Sequence, residues 1–237
     1  MGNYLNYKEL NMITDKTLLK VTGTNATPCY GGIGQWHKPH SQKRPGKWMP
    51  LIKYIIPCKR GYHVCEGEQV LRWLGPELYE VEIRGRADKR GKDKIVAQQA
   101  RLVKRIKTWN DRTVRLFACD CAKRVLRIFE DICPKDKRPA EAIKIARAFA
   151  DGKATKEELV KACEAATNSA YTAVQSFSAD AAYNAAYAAA DTCNSDAFDA
   201  ARHVSSAAAE ATTDYAGERE WQWNRLKKYL NNKVGKS

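Results

Sequence analysis

A chain of 237 residues, 44% of them hydrophobic and carrying a net charge of +14, is long enough to bury one large core or two modest ones. It has no apolar run of the roughly 20 residues needed to cross a bilayer, and charge interrupts residues 5–19, where a signal sequence would be apolar; the expectation is a soluble, cytoplasmic protein without a membrane role. Eight cysteines in that compartment read as thiols, small buried hydrophobes or metal ligands rather than as a disulfide framework.

Residues 1–20 form an ordered lead-in ending in a strand over 18–21. Between 22 and 57, Gly and Pro recur every few residues, which prohibits long helices and leaves room for short strands over 48–56. Residues 61–65 then read as a strand, 68–73 as one or two helical turns, and 78–83 as an alternating strand ended by Gly85. In that strand Tyr79, Val81 and Ile83 share one face and Glu80 and Glu82 the other, with Leu78 out of phase. The charge-dense stretch 86–94 marks a boundary, beyond which helices are expected over 95–108, from an Asn110 N-cap to 132, and from Pro139 to Asp151, stopped by Gly152. Thr155 and Glu158 have capping-box spacing and start a fourth helix. Residues 163–217 repeat an Ala-Ala theme with interspersed aromatics and read as two or three tightly packed helices, with breaks near Ser178 and Asn194-Ser195. A last helix over 218–230 is followed by a fraying polar tail. The fold class is α+β: a small β-rich domain over 1–90, then an Ala-rich helical bundle over 95–232.

The stretch 97–232 carries Asp120-Cys121-Ala122, then Arg124-Val125-Leu126, then Arg138-Pro139 before an arginine- and alanine-bearing helix, and Trp221-Gln222 near its end. In these residues it resembles the all-helical immunity protein 5 family, whose bacterial members are named for an expected role beside polymorphic toxins and which recurs in phage genomes. The first half, with PGKWMP, CKRGYHVC, WLGP and YEVEIRG, resembles an N-terminal domain of unknown function common in phage proteins. The first resemblance implies a binding role toward another protein; the second implies no chemistry.

Four candidate sites follow from the residues. Arg101, Lys104, Arg105, Lys107, Arg112, Arg115, Lys123, Arg124 and Arg127 would line the polar side of two helices, as a face for nucleic acid or an acidic partner or as plain solvated charge. Trp109, Trp221 and Trp223 are candidate interface anchors; the last two lie two apart, so one of them is expected to be exposed. His63, Glu80 and Glu82 are the candidates for acid–base chemistry, against a solvated strand face. Cys29, His37, His40, Cys58, His63 and Cys65 supply ligands for a tetrahedral zinc, against ordinary packing, which is preferred, so no cofactor is required. The cysteines at 119, 121, 133, 163 and 193 read as core residues, Cys119 and Cys121 facing different ways. The preferred function is non-catalytic: a phage or bacterial protein that binds and neutralises or modulates a protein partner, a toxin or a host defence component. A sequence-independent nucleic-acid-binding factor is the second reading, and a small transferase or hydrolase in the first domain the third.

Overall fold

The computed structural model describes residues 12–91, 93–177, 180–194 and 196–233. Four antiparallel strands, β1 (Leu18–Thr22), β2 (Tyr62–Glu66), β3 (Glu77–Asp88) and β4 (Ile95–Arg105), close into a small barrel in the order β1-β2-β4-β3. Among the described residues six α-helices follow: α1 (Asp111–Ile132), α2 (Arg138–Ala150), α3 (Lys156–Phe177), α4 (Asp180–Asp191), α5 (Ala197–Glu210) and α6 (Tyr215–Leu230). The α+β class holds, and no helix among the described residues is long and apolar enough to cross a membrane.

The barrel interior is filled from the alternate positions that the pleat turns inward: Val64 of β2, Tyr79 and Val81 of β3, and Ile95, Ala100 and Leu102 of β4, with Trp36 and Met49 added from the long loop. Leu78, out of phase as expected, joins Leu19, Val21 and Cys65 on the outer face, where they merge with the helical core. At the seam, Ile106 N donates to Leu78 O at 2.8 Å, Trp109 Nε1 to Gly75 O at 2.9 Å and Thr108 Oγ1 to Leu230 O at 2.7 Å. Glu77 is a buried carboxylate there: Ala26 N and Tyr79 Oη each donate to its Oε2 at 2.8 Å. Burial pushes its pKa up, but these two bonds and the Arg105 cation leave it below the usual carboxylate value.

Three expectations for the β region need correction. Residues 95–108, expected as a helix, are mostly strand β4; of 86–94, residues 86–88 belong to β3 and the chain between Asp88 and Ile95 joins β3 to β4. Gly85 does not end its strand; with φ +79° it sits where the β3–β4 register shifts, and the strand continues to Asp88. Residues 48–56 form no strand of their own, although segment 46–52 is hydrogen-bonded along β4 through Gly46, Met49 and Ile52.

The helical part follows its caps. Asn110 Oδ1 accepts from Thr113 N at 3.2 Å, Thr155 and Glu158 make the reciprocal capping-box bonds, and Gly152 takes φ +71° after α2. Helix α1 is the central element, packed against α2, α4, α5 and α6. Its Phe117 and Phe129 are fully buried, each contributing on the order of 1.5–3 kcal/mol. Alanines at 185, 186, 189, 201 and 208 are likewise fully buried, which is how α4 and α5 come close enough to pack on it. The chain passes from α4 to α5 at 191–197; the expected breaks at Ser178 and Ser195 lie outside the described residues, as does the end of the polar tail.

Candidate functional site

A cleft of about 390 Å³ opens where the 3-10 helix Gly67–Arg72 meets α5 and α6. Arg72, Trp73, Arg202, His203, Tyr215 and Arg219 line it. Arg219 is 7% exposed. One of its nitrogens, Nη1, donates to Ser205 O at 3.2 Å and to Gln222 Oε1 at 3.0 Å, and its guanidinium lies 5.8 Å from the Tyr215 ring. None of the carboxylates among the described residues lies within ion-pair distance of it. Burial lowers its pKa; Tyr215 opposes this, the Arg72 cation adds to it, and Cys121 and Glu68 oppose it. Asp93, the acidic group lining the cleft, is already held by Lys94 at 3.2 Å, and Asp199 holds Arg202 at 3.0 Å. The cleft is thus a partly desolvated cationic site in which like charges converge, and an anionic group entering it would relieve both the repulsion and the exposed ends of the guanidinia.

Behind the cleft the first half of α6 is fixed to α1 and α5 by a buried polar network. Glu218 accepts from Arg124 Nε at 2.6 Å and from Gln222 Nε2 at 3.1 Å, and Gln222 also reaches Ser205 O at 3.0 Å. One turn further along, Asp120 of α1 takes Arg147 of α2 through one oxygen and Arg225 and Tyr229 of α6 through the other, the Tyr229 bond being 2.7 Å. Asp136 accepts from Arg138 at 2.9 Å and Ser169 at 2.7 Å, tying the α1–α2 turn to α3, and the Arg138 bonds lower its pKa to about 2. These side chains recur through the helical half as a set of charge-assisted ties between elements distant in sequence.

The family model described as Imm-5 like putative immunity protein matches residues 104–229, more than half of the chain and nearly all of its helical region. This chain belongs to the Imm-5 like family. No curated protein and no solved structure matches it.

In this Imm-5 like chain the nine basic residues singled out along the sequence do not form one helical face. Arg101, Lys104 and Arg105 lie on β4, where the strand register sets them against β3: Arg101 meets Glu82 at 2.6 Å, Lys104 meets Glu80 at 3.0 Å and Arg105 meets Glu77 at 3.3 Å. On the helices, Arg112 pairs with Asp151 at 2.7 Å, Arg124 with Glu218, and Arg127 with Asp131 at 3.7 Å. Arg115 is 3% exposed and donates to Thr192 O at 2.7 Å and Asn194 O at 2.8 Å, so it serves the carbonyl end of α4. Lys107 and Lys123 are exposed.

The other candidates separate as well. Glu80 and Glu82 pair near the end of β4, whereas His63 is set against Val96 at its beginning, and the cavity lined by Glu80 contains neither His63 nor Glu82. The His63 ring accepts from Cys58 N at 3.2 Å, and burial lowers its pKa, with Lys20 and Lys94 adding to the effect. Cys29 and Cys65 lie near the Lys20 ammonium, which repels a metal cation, while His37, His40 and Cys58 are exposed. Among the described residues no group of three or more His, Cys, Asp or Glu is gathered for a metal. Trp109 and Trp223 are buried, the latter donating to Asp15 at 2.7 Å; Trp221 is half-buried, with the Arg124 guanidinium 4.7 Å above its ring. Cys119 and Cys121 are both fully buried, Cys119 reaching Ile143 O of α2 at 3.8 Å and Cys121 facing Glu218 and Arg219 of α6.

Arg72, Arg202, His203, Tyr215 and Arg219 were not marked by any local pattern. His203 sits 3.9 Å from Asp191, a carboxyl group whose other contacts are poor: its Oδ2 is buried without a hydrogen bond, and burial pushes its pKa up to about 6, against the lowering effect of His203. Helical spacing does put Tyr215, Arg219 and Gln222 on one stripe of α6, but only the fold brings Arg72 to face it.

Proposed function

We propose that this chain is an immunity-type protein that acts by binding another protein, a toxin or a host defence component, and neutralising or modulating it without chemistry of its own. The cleft between the Gly67–Arg72 helix and α5–α6 is the point of contact, and an acidic side chain of the partner is the group that enters it. The observation that carries this reading is the buried Arg219 cation beside Arg72 and Arg202, at the edge of the family-matched region. Arg and aromatic side chains in a desolvated pocket are the residues that carry most binding energy in protein interfaces, and Tyr215 and the Arg124–Trp221 stack extend the surface beside it. The rigid ties through Glu218 and Asp120 support it, since a preorganised surface loses less on binding.

The test uses the full chain as bait in cells that contain its partner, followed by titration of the purified pair and assay of the partner's activity. The expected result is a stoichiometric complex whose affinity falls at least about 100-fold in the Arg72→Glu, Arg202→Glu double variant, the two charge reversals together costing on the order of 3 kcal/mol or more. A partner bound equally well by that variant would remove the cleft from the reading. A complex that leaves the partner's activity unchanged would remove the immunity role.

A further inference from the structure

The barrel carries a second cationic surface, apart from the cleft and bordering the paired face of β3 and β4 where Trp48 meets Arg101. Residues 16–65 contain nine Lys and Arg and no Asp or Glu. The fold keeps six of them, between 43 and 60, on one framework, whereas Lys20 donates to His63 O at 3.0 Å and Lys38 to Asn25 Oδ1 at 2.8 Å. Segment 46–52 is laid along the outer edge of β4 by three backbone bonds, Gly46 N to Leu102 O at 2.8 Å, Met49 N to Ala100 O at 3.0 Å and Ile52 N to Gln98 O at 3.0 Å. On either side of it the chain closes two short loops, through His40 N to Arg44 O at 3.0 Å and Ile56 N to Arg60 O at 2.7 Å. Lys43, Arg44, Lys47, Lys53, Lys59 and Arg60 all stand exposed on this framework, and among the described residues none of them is in an ion pair. They form a stripe whose seated segment follows β4 from Leu102 to Gln98, about 13 Å at roughly 3.3 Å per residue, with Lys43 and Arg44 in the loop before it and Lys59 and Arg60 in the loop after it.

The stripe has aromatic and amide neighbours whose states matter. Trp48 is held between the guanidinia of Arg84 and Arg101, at 4.4 and 4.7 Å, so it braces two cations against the sheet. Tyr54 is 65% exposed, with the Lys53 ammonium 5.4 Å from its ring centroid. The amides that would read base edges are already occupied: Gln98 Nε2 donates to Lys53 O at 2.8 Å, Gln99 Nε2 to Met49 O at 2.9 Å and Gln42 Nε2 to Arg105 O at 3.5 Å.

We infer that this stripe binds the phosphodiester backbone of nucleic acid without reading its sequence. Its Lys and Arg side chains neutralise successive phosphates, and Tyr54 offers a ring on which a base can stack. A single-sign surface of this length fits a ligand of a single opposite sign. A folded protein partner presents charges of both signs and fixes its register by matching both, and the stripe has no carboxylate to answer a partner's cations. The exposed Leu51 and Ile56 are what an acidic protein would cover instead, so that occupant is an outcome of the test.

The experiment measures anisotropy of fluorescein-labelled mixed-sequence single-stranded DNA, duplex DNA and RNA with the full-length protein across a salt series. Wild type is expected to bind at low salt with little preference among sequences. Lys47→Ala, Lys53→Ala, Arg60→Ala together should weaken binding at least about tenfold at low salt and reduce the slope of log K against log salt by about 2 to 3. Lys104→Ala, Arg105→Ala, Arg112→Ala together, each of them ion-paired in the wild type, should change the slope by less than half of that. Thermal melts check that each variant is folded; the stripe variant is expected to melt as wild type does, since its three side chains are exposed. No binding by wild type at low salt, or equal losses in the two triple variants, overturns the inference. Loss of a captured acidic protein by the stripe variant, with oligonucleotides unbound by wild type, overturns it in favour of protein docking. The Arg72→Glu, Arg202→Glu variant is expected to keep oligonucleotide binding within about twofold, which separates failure here from failure of the cleft.

Discussion

Strand β4 has cations on both of its flanks, and they meet opposite fates. Toward β3, Arg101, Lys104 and Arg105 each find a glutamate across the ladder. Toward segment 46–52, Lys47, Lys53 and their neighbours find none, because residues 16–65 contain no acid. Charge density along the chain is higher near residues 101–127, yet free charge is greater on the loop side. Register, which the sequence does not display, decides which positive charges remain available. A basic run is therefore informative only once the residues opposite it are known.

The largest expected effect comes from breaking the paired side where it is buried. Asp120 answers two guanidinia and a phenol from α2 and α6, with its side chain 9% exposed. Asp120→Ala would leave Arg147 and Arg225 uncompensated and should destabilise the protein by about 3–5 kcal/mol, read from the urea midpoint. A loss below about 1 kcal/mol would mean that this network relaxes onto water and that pairing contributes as little inside as at the surface.

A buried acid with only His203 at 3.9 Å as its ionic neighbour offers the converse case. Burial raises the pKa of Asp191 to about 6, so the folded protein holds that proton more tightly than the unfolded chain, whose carboxyl titrates near 3.8. The sign follows: no penalty exists below pH 3.8, it grows as pH rises, and it is complete above about 6. Asp191→Asn should accordingly melt above wild type at neutral pH by an amount on the order of 2 kcal/mol, with the gap closing near pH 4. A gap that is the same at both pH values would contradict the assignment.

Gly46 tests whether the loop flank depends on its seat. A Cβ there would lie 2.1 Å from His37 O, so Gly46→Ala forces the backbone at 46 or at 37 to shift and should cost about 1–3 kcal/mol. The same variant should flatten the salt dependence of oligonucleotide binding if the stripe requires the 46–52 segment in place. Unchanged binding would show that the cations act as a mobile cluster.

The legible parts of the fold were those with local causes. Asn110, Pro139, Gly152 and the Thr155–Glu158 box mark helix ends by side-chain chemistry within four residues, and the Tyr79–Val81 phase marks a strand by its pleat. Strand β4 was not legible, because Gln98, Gln99, Ala100 and Arg101 favour helix and the apolar spacing of 95–106 fits either period; closure of the barrel overrides propensity. The candidate cleft was hidden for a different reason. Arg72 and Arg219 meet across the seam between barrel and bundle, and no local pattern pairs residues so far apart. Trp221 and Trp223 show how far spacing carries: two positions apart they must diverge, and it is Trp223 that turns inward.

The smallest energetic effect is the most direct test of the comparison between the two flanks. Glu80→Gln together with Glu82→Gln keeps side-chain volume and removes the charges opposite Lys104 and Arg101, whose ion pairs are 3.0 and 2.6 Å. Each cross-strand pair stabilises by only about 0.2–1 kcal/mol, so the melting temperature should fall slightly. Polyanion binding should move the other way: two released cations flank the Trp48-braced surface, and the slope of log K against log salt should steepen by up to about 2. If pairing is what silences the β3 side, the doubly neutralised strand will behave like the loop side. If affinity stays at the wild-type value, geometry rather than neutralisation separates the two flanks, because freed charges on β4 would then still be unable to reach a backbone lying along segment 46–52.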